Sequence, residues 1–327
     1  MNSGLIDSFG REHDYLRVAI TDRCNLRCVY CMPIEGVEWK AHENILTFEE
    51  IIRIVKIMSG LGVRNVRVTG GEPLLRKGAP NFLNELKNIS GIENVTLTTN
   101  GILLGEYLNE LESAKYTLPD GINISLDALD CERYKRITRC ESITPVYILP
   151  LINRLLVKQI TVKINCVPVS SYNDEEIIPL TELARDKNII VRFIELMPIG
   201  CASDLQCIPG KDVAAIIEKS FGTLVPFDGV TGNGPASYYS LTGFTGKIGF
   251  INAITHSFCD TCNRLRLTSE GFLKLCLSND QYLDLRQLIR GGAGDNEVAN
   301  IITEFVKNKP RGYKFSECRE GMSKIGG

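Results

Sequence analysis

Residues 15–31 read YLRVAITDRCNLRCVYC, a short strand-like run followed at once by three cysteines in CxxxCxxC spacing. The run is rich in apolar and β-branched residues, which favour strands. Similar runs recur through the first two thirds of the chain, and a segment with helical apolar periodicity follows each of the first five. This alternation predicts a parallel sheet, because parallel neighbours need a long crossover that a helix usually supplies.

The predicted elements comprise six strands with five helices between them. The strands are expected at residues 15–21, 65–69, 94–98, 121–125, 160–167 and 189–196. The helices are expected at residues 48–59, 79–88, 103–115, 144–157 and 174–187. Thr47 and Glu50 form a capping-box pattern at the start of the first helix. Such an alternation is typical of a doubly wound sheet or of an incomplete (β/α) barrel.

Polar residues at the strand ends favour the barrel. They are Thr21 and Asp22, then Gly70 to Pro73 (GGEP), Thr98 to Gly101, Ser125 and Asp127, Asn165, and Met197. A barrel collects the C-terminal ends of its strands on one face, where its active site lies. We therefore predict an α/β fold in which residues 1–231 form an incomplete six-stranded (β/α) barrel. Glycines become frequent after about residue 231, so residues 232–327 are predicted to be a C-terminal extension that closes the barrel.

The composition limits the classes of function. The 327 residues carry a net charge of −2, so no overall positive field would attract nucleic acid or an anionic membrane. No apolar run approaches the 18 residues of a membrane span, and residues 1–13 lack the pattern of a secretion signal. We expect a cytoplasmic protein. In that reducing compartment, clustered cysteines indicate metal ligands more often than disulfides.

Six of the twelve cysteines fall into two triads. We define the first triad as Cys24, Cys28 and Cys31, and the second triad as Cys259, Cys262 and Cys276. Three thiolates can hold three irons of a [4Fe–4S] cluster and leave the fourth iron open to a small molecule. The alternative is a zinc-stabilised binding protein, in which His256 would complete a closed site with the second triad. No comparable histidine accompanies the first triad, and this favours clusters.

Four basic residues stand inside otherwise apolar strands: Arg17, Arg67, Lys163 and Arg192. A charge on a barrel strand is costly unless a partner or ligand compensates it. An anionic ligand in the barrel lumen would do so. Arg192 and Met197 are five residues apart, and strand alternation would place their side chains on opposite faces of the sheet. Whether Arg192 faces the lumen is therefore left open.

The motifs resemble those of a known superfamily. CxxxCxxC with Tyr30 before its last cysteine, together with GGEP after the second strand, resembles the radical S-adenosylmethionine (SAM) enzymes. The second triad and the terminal Gly326 and Gly327 closely resemble the GTP 3′,8-cyclases of molybdenum cofactor biosynthesis. Residues 124–129 (ISLDAL) and 193–198 (FIELMP) extend the resemblance, which covers essentially the whole chain.

The resemblance implies two [4Fe–4S] clusters, one that binds SAM at its open iron and one that binds guanine. It also implies radical cyclisation of GTP to 3′,8-cyclo-7,8-dihydro-GTP, which starts with hydrogen abstraction from C3′. The implied GTP contacts are Arg17, Arg67, Thr98, Lys163, Arg264 and Arg266. The implied SAM contacts are Tyr30, Gly71, Ser125 and Met197. Gly326 and Gly327 are implied to reach into the active site.

The implied partners are a reducing electron donor, a companion cyclic pyranopterin monophosphate synthase downstream, and a second copy of the chain in a homodimer. The enzymatic alternative is a radical enzyme that modifies a peptide with the help of an auxiliary cluster. Such enzymes usually carry more C-terminal cysteines than this chain. One departure is Asn65, where some relatives have a lysine.

Overall fold

The computed structural model describes residues 4–141, 144–229 and 231–313. Twelve strands in this part form one sheet in the order β12-β11-β10-β1-β2-β3-β4-β5-β6-β9-β8-β7. The strands are β1 Tyr15–Ala19, β2 Asn65–Thr69, β3 Asn94–Thr99, β4 Gly121–Ser125, β5 Thr161–Cys166, β6 Ile190–Ile194, β7 Val225–Pro226, β8 Ser237–Ser240, β9 Lys247–Ile251, β10 Arg264–Leu267, β11 Phe272–Lys274 and β12 Tyr282–Asp284.

The helices are α1 Phe48–Gly60, α2 Ala79–Lys87, α3 Leu104–Ala114, α4 Cys131–Thr138, α5 Leu149–Val157, α6 Ile177–Glu182, α7 Gly210–Phe221, α8 Leu285–Arg290 and α9 Asp295–Val306. The predicted capping box is present, since the Thr47 hydroxyl accepts from the Glu50 N–H and the Glu50 carboxylate accepts from the Thr47 N–H. None of the helices described has the length and apolar content of a membrane span.

The six predicted strands correspond to β1–β6, and each pairs in parallel with the next. Helix α4 was not predicted, because its eight residues are mostly polar and too few to show a repeated apolar pattern. Its start depends on the Asp130 side chain, which accepts hydrogen bonds from the N–H groups of Glu132 and Arg133.

The C-terminal extension joins the sheet at both edges. Strand β10 pairs in parallel with β1, and β9 pairs in parallel with β6, so the parallel part of the sheet has eight strands. Beyond them, β11 and β12 at one edge and β8 and β7 at the other run antiparallel to their neighbours. The two outermost strands are not hydrogen-bonded to each other in the described chain, and the barrel is therefore open. The predicted incomplete barrel is confirmed, but its extension also lengthens the sheet.

The two faces of the sheet differ in chemistry. In β1, Leu16 and Val18 are buried in the main hydrophobic core together with Ile54 and Met58 of α1. The alternate residues of β1 face the other side, where a cavity begins. The helices therefore cover the outer face of the sheet, and polar and charged side chains are left to line the lumen.

Candidate functional site

Both cysteine triads line one cavity in the barrel lumen. Cys24 follows the C-terminal end of β1, whereas Cys262 precedes β10, which runs parallel to β1. The backbone N–H of Tyr15, the first residue of β1, donates to the carbonyl of Asn263 (3.3 Å). Cys276 follows β11, which is antiparallel to β10, and so it reaches the same end as Cys262. The first triad thus lies at the C-terminal end of the strands and the second triad at the opposite end.

The GGEP loop holds the loop of the first triad. The N–H of Gly71 donates to the carbonyl of Thr21 (2.8 Å), and the N–H of Glu72 donates to that of Arg23 (2.7 Å). A Cβ added at Gly70 would lie 2.5 Å from the Thr21 oxygen, and one at Gly71 would lie 2.2 Å from the Arg23 oxygen. Both positions therefore require glycine, because any side chain would push the two loops apart.

Glu72 forms hydrogen bonds within the protein, mainly with backbone N–H groups. Its buried carboxylate accepts hydrogen bonds from the Thr99 hydroxyl (2.7 Å) and from the backbone N–H groups of Asn100 (2.7 Å) and Leu74 (3.0 Å). Burial raises the pKa of Glu72 to about 7, although these hydrogen bonds act in the opposite direction. Glu72 therefore ties the loop after β2 to the loop after β3.

Asp127 is a site residue to which the sequence assigned no role. Its carboxylate accepts a hydrogen bond from the Tyr30 hydroxyl (2.7 Å) and another from the Val167 N–H (2.8 Å). Burial raises the pKa of Asp127 to about 6. Because Tyr30 lies between Cys28 and Cys31, this contact anchors the first triad to the ends of β4 and β5.

The first triad has a desolvated, acidic environment. Burial raises the pKa of the Cys28 thiol, and Asp127 and the other two cysteines raise it further. Burial and Cys24 raise the pKa of Cys31 to about 12. The three thiols thus lie within electrostatic reach of one another. Their donor chemistry fits an iron–sulfur cluster, whose positive irons would stabilise the thiolate forms.

The second triad has a basic environment. Burial alone would raise the pKa of Cys262, but the positive charges of Arg264 and Lys309 lower it to about 7. Arg11 supports this loop from the N-terminal segment, donating to the carbonyls of Cys259 (2.7 Å) and Pro310 (2.7 Å). Asp7 holds the Arg11 guanidinium at 2.6 Å. These thiols also suit iron ligation.

Between the two triads the cavity is lined by guanidinium groups. Arg266, Arg17 and Arg67 are direct neighbours across β10, β1 and β2. Burial lowers the pKa of Arg17, and Arg266 and Arg67 lower it further. Burial also lowers the pKa of Arg192 to about 10. Neighbouring like charges are unfavourable, so this part of the lumen favours an anionic ligand.

Lys163 has a different position from the arginines. It is not part of the cavity lining in the described chain, and its ammonium donates to the backbone carbonyl of Thr231. Burial, followed by the charges of Arg192 and Arg67, lowers the pKa of Lys163 to about 7. It therefore lies close to the arginine cluster, behind the segment that contains Thr231.

Most predicted site residues come together in this cavity. Besides the six cysteines, the lining includes Arg17, Tyr30, Arg67, Gly71, Thr98, Ser125, Met197, Arg264 and Arg266. The Thr98 hydroxyl is buried, and it has no hydrogen-bond partner within the part of the chain described. Arg192 also lines the cavity; the parity comparison with Met197 was uninformative because β6 ends at Ile194. Gly326 and Gly327 lie outside the described residues.

Asn65 and His256, whose roles the sequence did not decide, both contact neighbouring side chains. The Asn65 amide donates to Asp14 (3.0 Å) and accepts from Asn94 (3.0 Å), and it also contacts Asn233. His256 is exposed and contacts Thr255 (Nδ1 to Oγ1, 3.3 Å).

The described residues form no mononuclear metal site. Within residues 4–141, 144–229 and 231–313, no three His, Cys, Asp or Glu side chains are grouped to hold a single ion. A four-iron cluster binds each thiolate at a different iron, so its ligands are spread more widely than those of one ion.

Known protein families resemble this chain over most of its length. Residues 18–184 match the Radical SAM superfamily, and residues 189–315 match the family Molybdenum Cofactor Synthesis C. The GTP 3′,8-cyclase of Heliobacterium modesticaldum is 43% identical over 99% of this chain and 100% of its own length. That of Clostridium perfringens strain 13 is 41% identical over 98% and 99%.

A similar fold occurs among solved structures. Streptococcus suis SuiB bound to S-adenosylmethionine superposes with a TM-score of 0.58 at 17% identity, covering 94% of this chain and 77% of SuiB. At this identity the likeness concerns the fold alone. The two GTP 3′,8-cyclases named above match this chain at 43% and 41% identity over nearly the full length of both sequences. The chain therefore belongs to the GTP 3′,8-cyclase family of the radical SAM superfamily.

Proposed function

We propose that this chain cyclises GTP to 3′,8-cyclo-7,8-dihydro-GTP, the first step of molybdenum cofactor biosynthesis, with two [4Fe–4S] clusters and SAM. The observation that carries the proposal is that both cysteine triads and a row of arginines line one cavity. SAM at one end and a nucleoside triphosphate at the other would then share one cavity. The full-length relatives named GTP 3′,8-cyclase support this assignment.

The cofactor assignment has two parts: one cluster with SAM, which the whole superfamily uses, and a second cluster, which is specific to this proposal. Membership of the radical SAM superfamily implies one [4Fe–4S] cluster and SAM. When bound, the reduced cluster supplies the electron that cleaves SAM. We assign it to Cys24, Cys28 and Cys31. We assign a second cluster to Cys259, Cys262 and Cys276, which lie in a basic environment suited to thiolates and to an anionic substrate.

The SAM end is assigned to residues near the first triad. Gly71, Ser125 and Met197 line the cavity there together with Tyr30, whose hydroxyl is fixed by Asp127. The backbone of the GGEP loop is held against the loop of the first triad by two hydrogen bonds. These residues would orient SAM and exclude water from it.

The GTP end is assigned to the basic residues. Arg17, Arg67 and Arg266 would bind phosphate oxygens, since guanidinium groups bind phosphate with strong charge-assisted hydrogen bonds. Arg264 lies beside the second triad and stacks over Phe258 at 4.6 Å, which suits a position near the base. The Thr98 hydroxyl is available as a donor or acceptor. Lys163 would reach the phosphates when its contact with Thr231 is exchanged for the ligand.

Further parts of the assignment concern the whole chain. We assign residues 1–231 to the SAM-binding barrel and residues 232–327 to the region with the second cluster. Gly326 and Gly327 are proposed to enter the active site, where the lack of side chains would let the chain end pass between ligands. The proposed partners are a reducing electron donor, a companion cyclic pyranopterin monophosphate synthase and a second copy of the chain. We place the reaction in the cytoplasm.

Anaerobic reconstitution tests the proposal. The protein should bind about eight irons, as two four-iron clusters require. With SAM, GTP and a strong reductant, it should form 5′-deoxyadenosine and the cyclised nucleotide together. Stoichiometric zinc at His256 and the second triad, with iron at the first triad alone, would contradict the two-cluster assignment. Removal of Gly326 and Gly327 should retain SAM cleavage and lose the cyclised product.

A further inference from the structure

Tyr15 opens strand β1 and contributes a phenol to the arginine-lined cavity. The residue is only 4% exposed, and the Arg67 guanidinium lies over its ring, 5.5 Å from the centroid. The backbone hydrogen bond from Tyr15 to Asn263 places the residue beside the second triad, at the end of the lumen away from the first triad. Tyr15 is therefore held by a backbone hydrogen bond to Asn263 and by the contact of its ring with Arg67.

The hydroxyl of Tyr15 is buried and, among the residues described, has no hydrogen-bond partner. A buried hydroxyl without a partner loses its hydration and receives nothing in exchange, so most buried polar groups in proteins are satisfied. A phenol can both donate and accept. Because Tyr15 lines an internal cavity, a ligand bound there is in position to supply the missing partner.

The charges around this hydroxyl define the chemistry of the ligand. Tyr15 is among the groups that influence the pKa values of Arg17, Arg192 and Arg266, which come from three different strands. The phenol oxygen is therefore within electrostatic reach of guanidiniums on several sides of the lumen. A ligand group that fits among them is anionic, and a phenol meets an anion as a hydrogen-bond donor.

We propose that Tyr15 is a further nucleotide-binding residue, whose hydroxyl donates a hydrogen bond to a phosphate oxygen of GTP. This inference rests on the proposed function, because it takes GTP to be the ligand of the cavity. Tyr15 is assigned to the nucleotide and not to SAM, since it lies at the opposite end of β1 from Cys24.

The variant Tyr15→Phe tests the proposal, because it removes one oxygen and retains the ring under Arg67. In the reconstituted holoenzyme we expect the Kd for GTP to rise about tenfold, the lower end for a hydrogen bond to a charged group. The KM for GTP should rise with it. The affinity for guanosine, which has no phosphate, should not change.

Tyr107→Phe is the matched control. Tyr107 in α3 is 3% exposed, and its hydroxyl is also buried without a partner in the described chain, but it packs in the hydrophobic core. Its substitution should change the Kd for GTP by less than roughly twofold, as for a change outside the binding site.

The possible results distinguish a failure of the Tyr15 assignment from a failure of the proposed function. GTP binding by Tyr15→Phe equal to that of the wild type would overturn the proposal. An equal loss of GTP and guanosine affinity would also overturn it, because the contact would then be to the base or the ribose. A wild-type holoenzyme that binds no GTP would overturn the proposed function itself, and the assignment of Tyr15 with it.

Discussion

The two cysteine triads have the same ligand type but opposite electrostatic surroundings. Near the first triad, burial and Asp127 raise the pKa of Cys28, and hydrogen bonds among protein groups fix the loops. Near the second triad, Arg264 and Lys309 lower the pKa of Cys262 to about 7 despite its burial. The first environment suits a ligand with a cationic sulfonium, such as SAM, and the second suits a polyanion. The difference supports the proposed placement of SAM at the first triad and of GTP at the second.

The largest expected effect comes from separating the triads. Cys28→Ala should abolish SAM cleavage and all product, because the first triad is assigned to the cluster that reduces SAM. Cys276→Ala should retain uncoupled SAM cleavage and lose cyclisation by orders of magnitude. The measurement is 5′-deoxyadenosine and cyclised nucleotide in parallel assays. Cys131→Ala is the control, since Cys131 opens α4 outside the cavity lining. Near-normal cyclisation by Cys276→Ala would reject the assignment of GTP to the second triad.

The arginine row predicts the next largest effect. Arg17→Ala and Arg266→Ala should each weaken GTP binding by about 1.5–3 kcal/mol, or about 10- to 150-fold, as expected for hydrogen bonds to a charged group. SAM affinity and iron content should be retained. Arg53→Ala is the control, because Arg53 forms its ion pair with Asp295 at the surface. Unchanged GTP affinity in both cavity variants would mean that these charges serve the fold alone.

Lys163 predicts a pH dependence at the anionic end. Its pKa is lowered to about 7, mainly by burial, so it loses its proton above that pH in the free protein. A bound phosphate favours the protonated form, and GTP affinity should therefore fall as the pH rises from 7 to 8.5. The slope should approach about tenfold per pH unit, the limit for one coupled proton.

The control for this prediction is Lys163→Arg, which remains charged throughout the range. Its GTP affinity should be nearly independent of pH between 7 and 8.5. Because ionisation of GTP itself is common to both proteins, it cancels in their ratio. The same slope in both proteins would exclude Lys163 as the titrating group.

The smallest expected effect concerns the anchor of the first triad. Asp127→Asn should raise the KM for SAM by about 2- to 10-fold, the range for a single weakened hydrogen bond, with no change in the KM for GTP. Tyr30→Phe removes the same hydrogen bond from the other side. The double variant should be no worse than the poorer single variant, because both changes break one contact. Full additivity would show that the two residues act independently.

Much of the fold is visible in the sequence because it is local. Strands β1–β6 and helices α1, α2 and α3 follow from short apolar patterns and from caps such as Thr47 with Glu50. The cysteine spacings and GGEP are also local, and they sufficed to indicate the superfamily. Helix α4 was missed because it is only eight residues long and mostly polar, so few apolar residues mark its buried face.

The arrangement of the site depends on non-local pairing. No local pattern shows that β10 inserts beside β1, yet this pairing brings Arg266 next to Arg17. It also places the second triad at the far end of the lumen from the first. Arg192 likewise lines the cavity because of the position of β6 in the sheet. Its parity relative to Met197 could not predict this, because β6 ends at Ile194 and strand alternation does not continue to residue 197.

The sequence by itself determined which residues are candidates for the chemistry, since thiol spacing, strand alternation and charges in apolar strands are properties of short segments. The tertiary structure decided the roles that depend on neighbours. Glu72 became a tie between two loops, Asp127 an anchor for Tyr30, and Tyr15 a buried phenol in a basic cavity. The physical reason is that burial and electrostatic environment are set by residues distant in sequence, which meet only when the sheet is assembled.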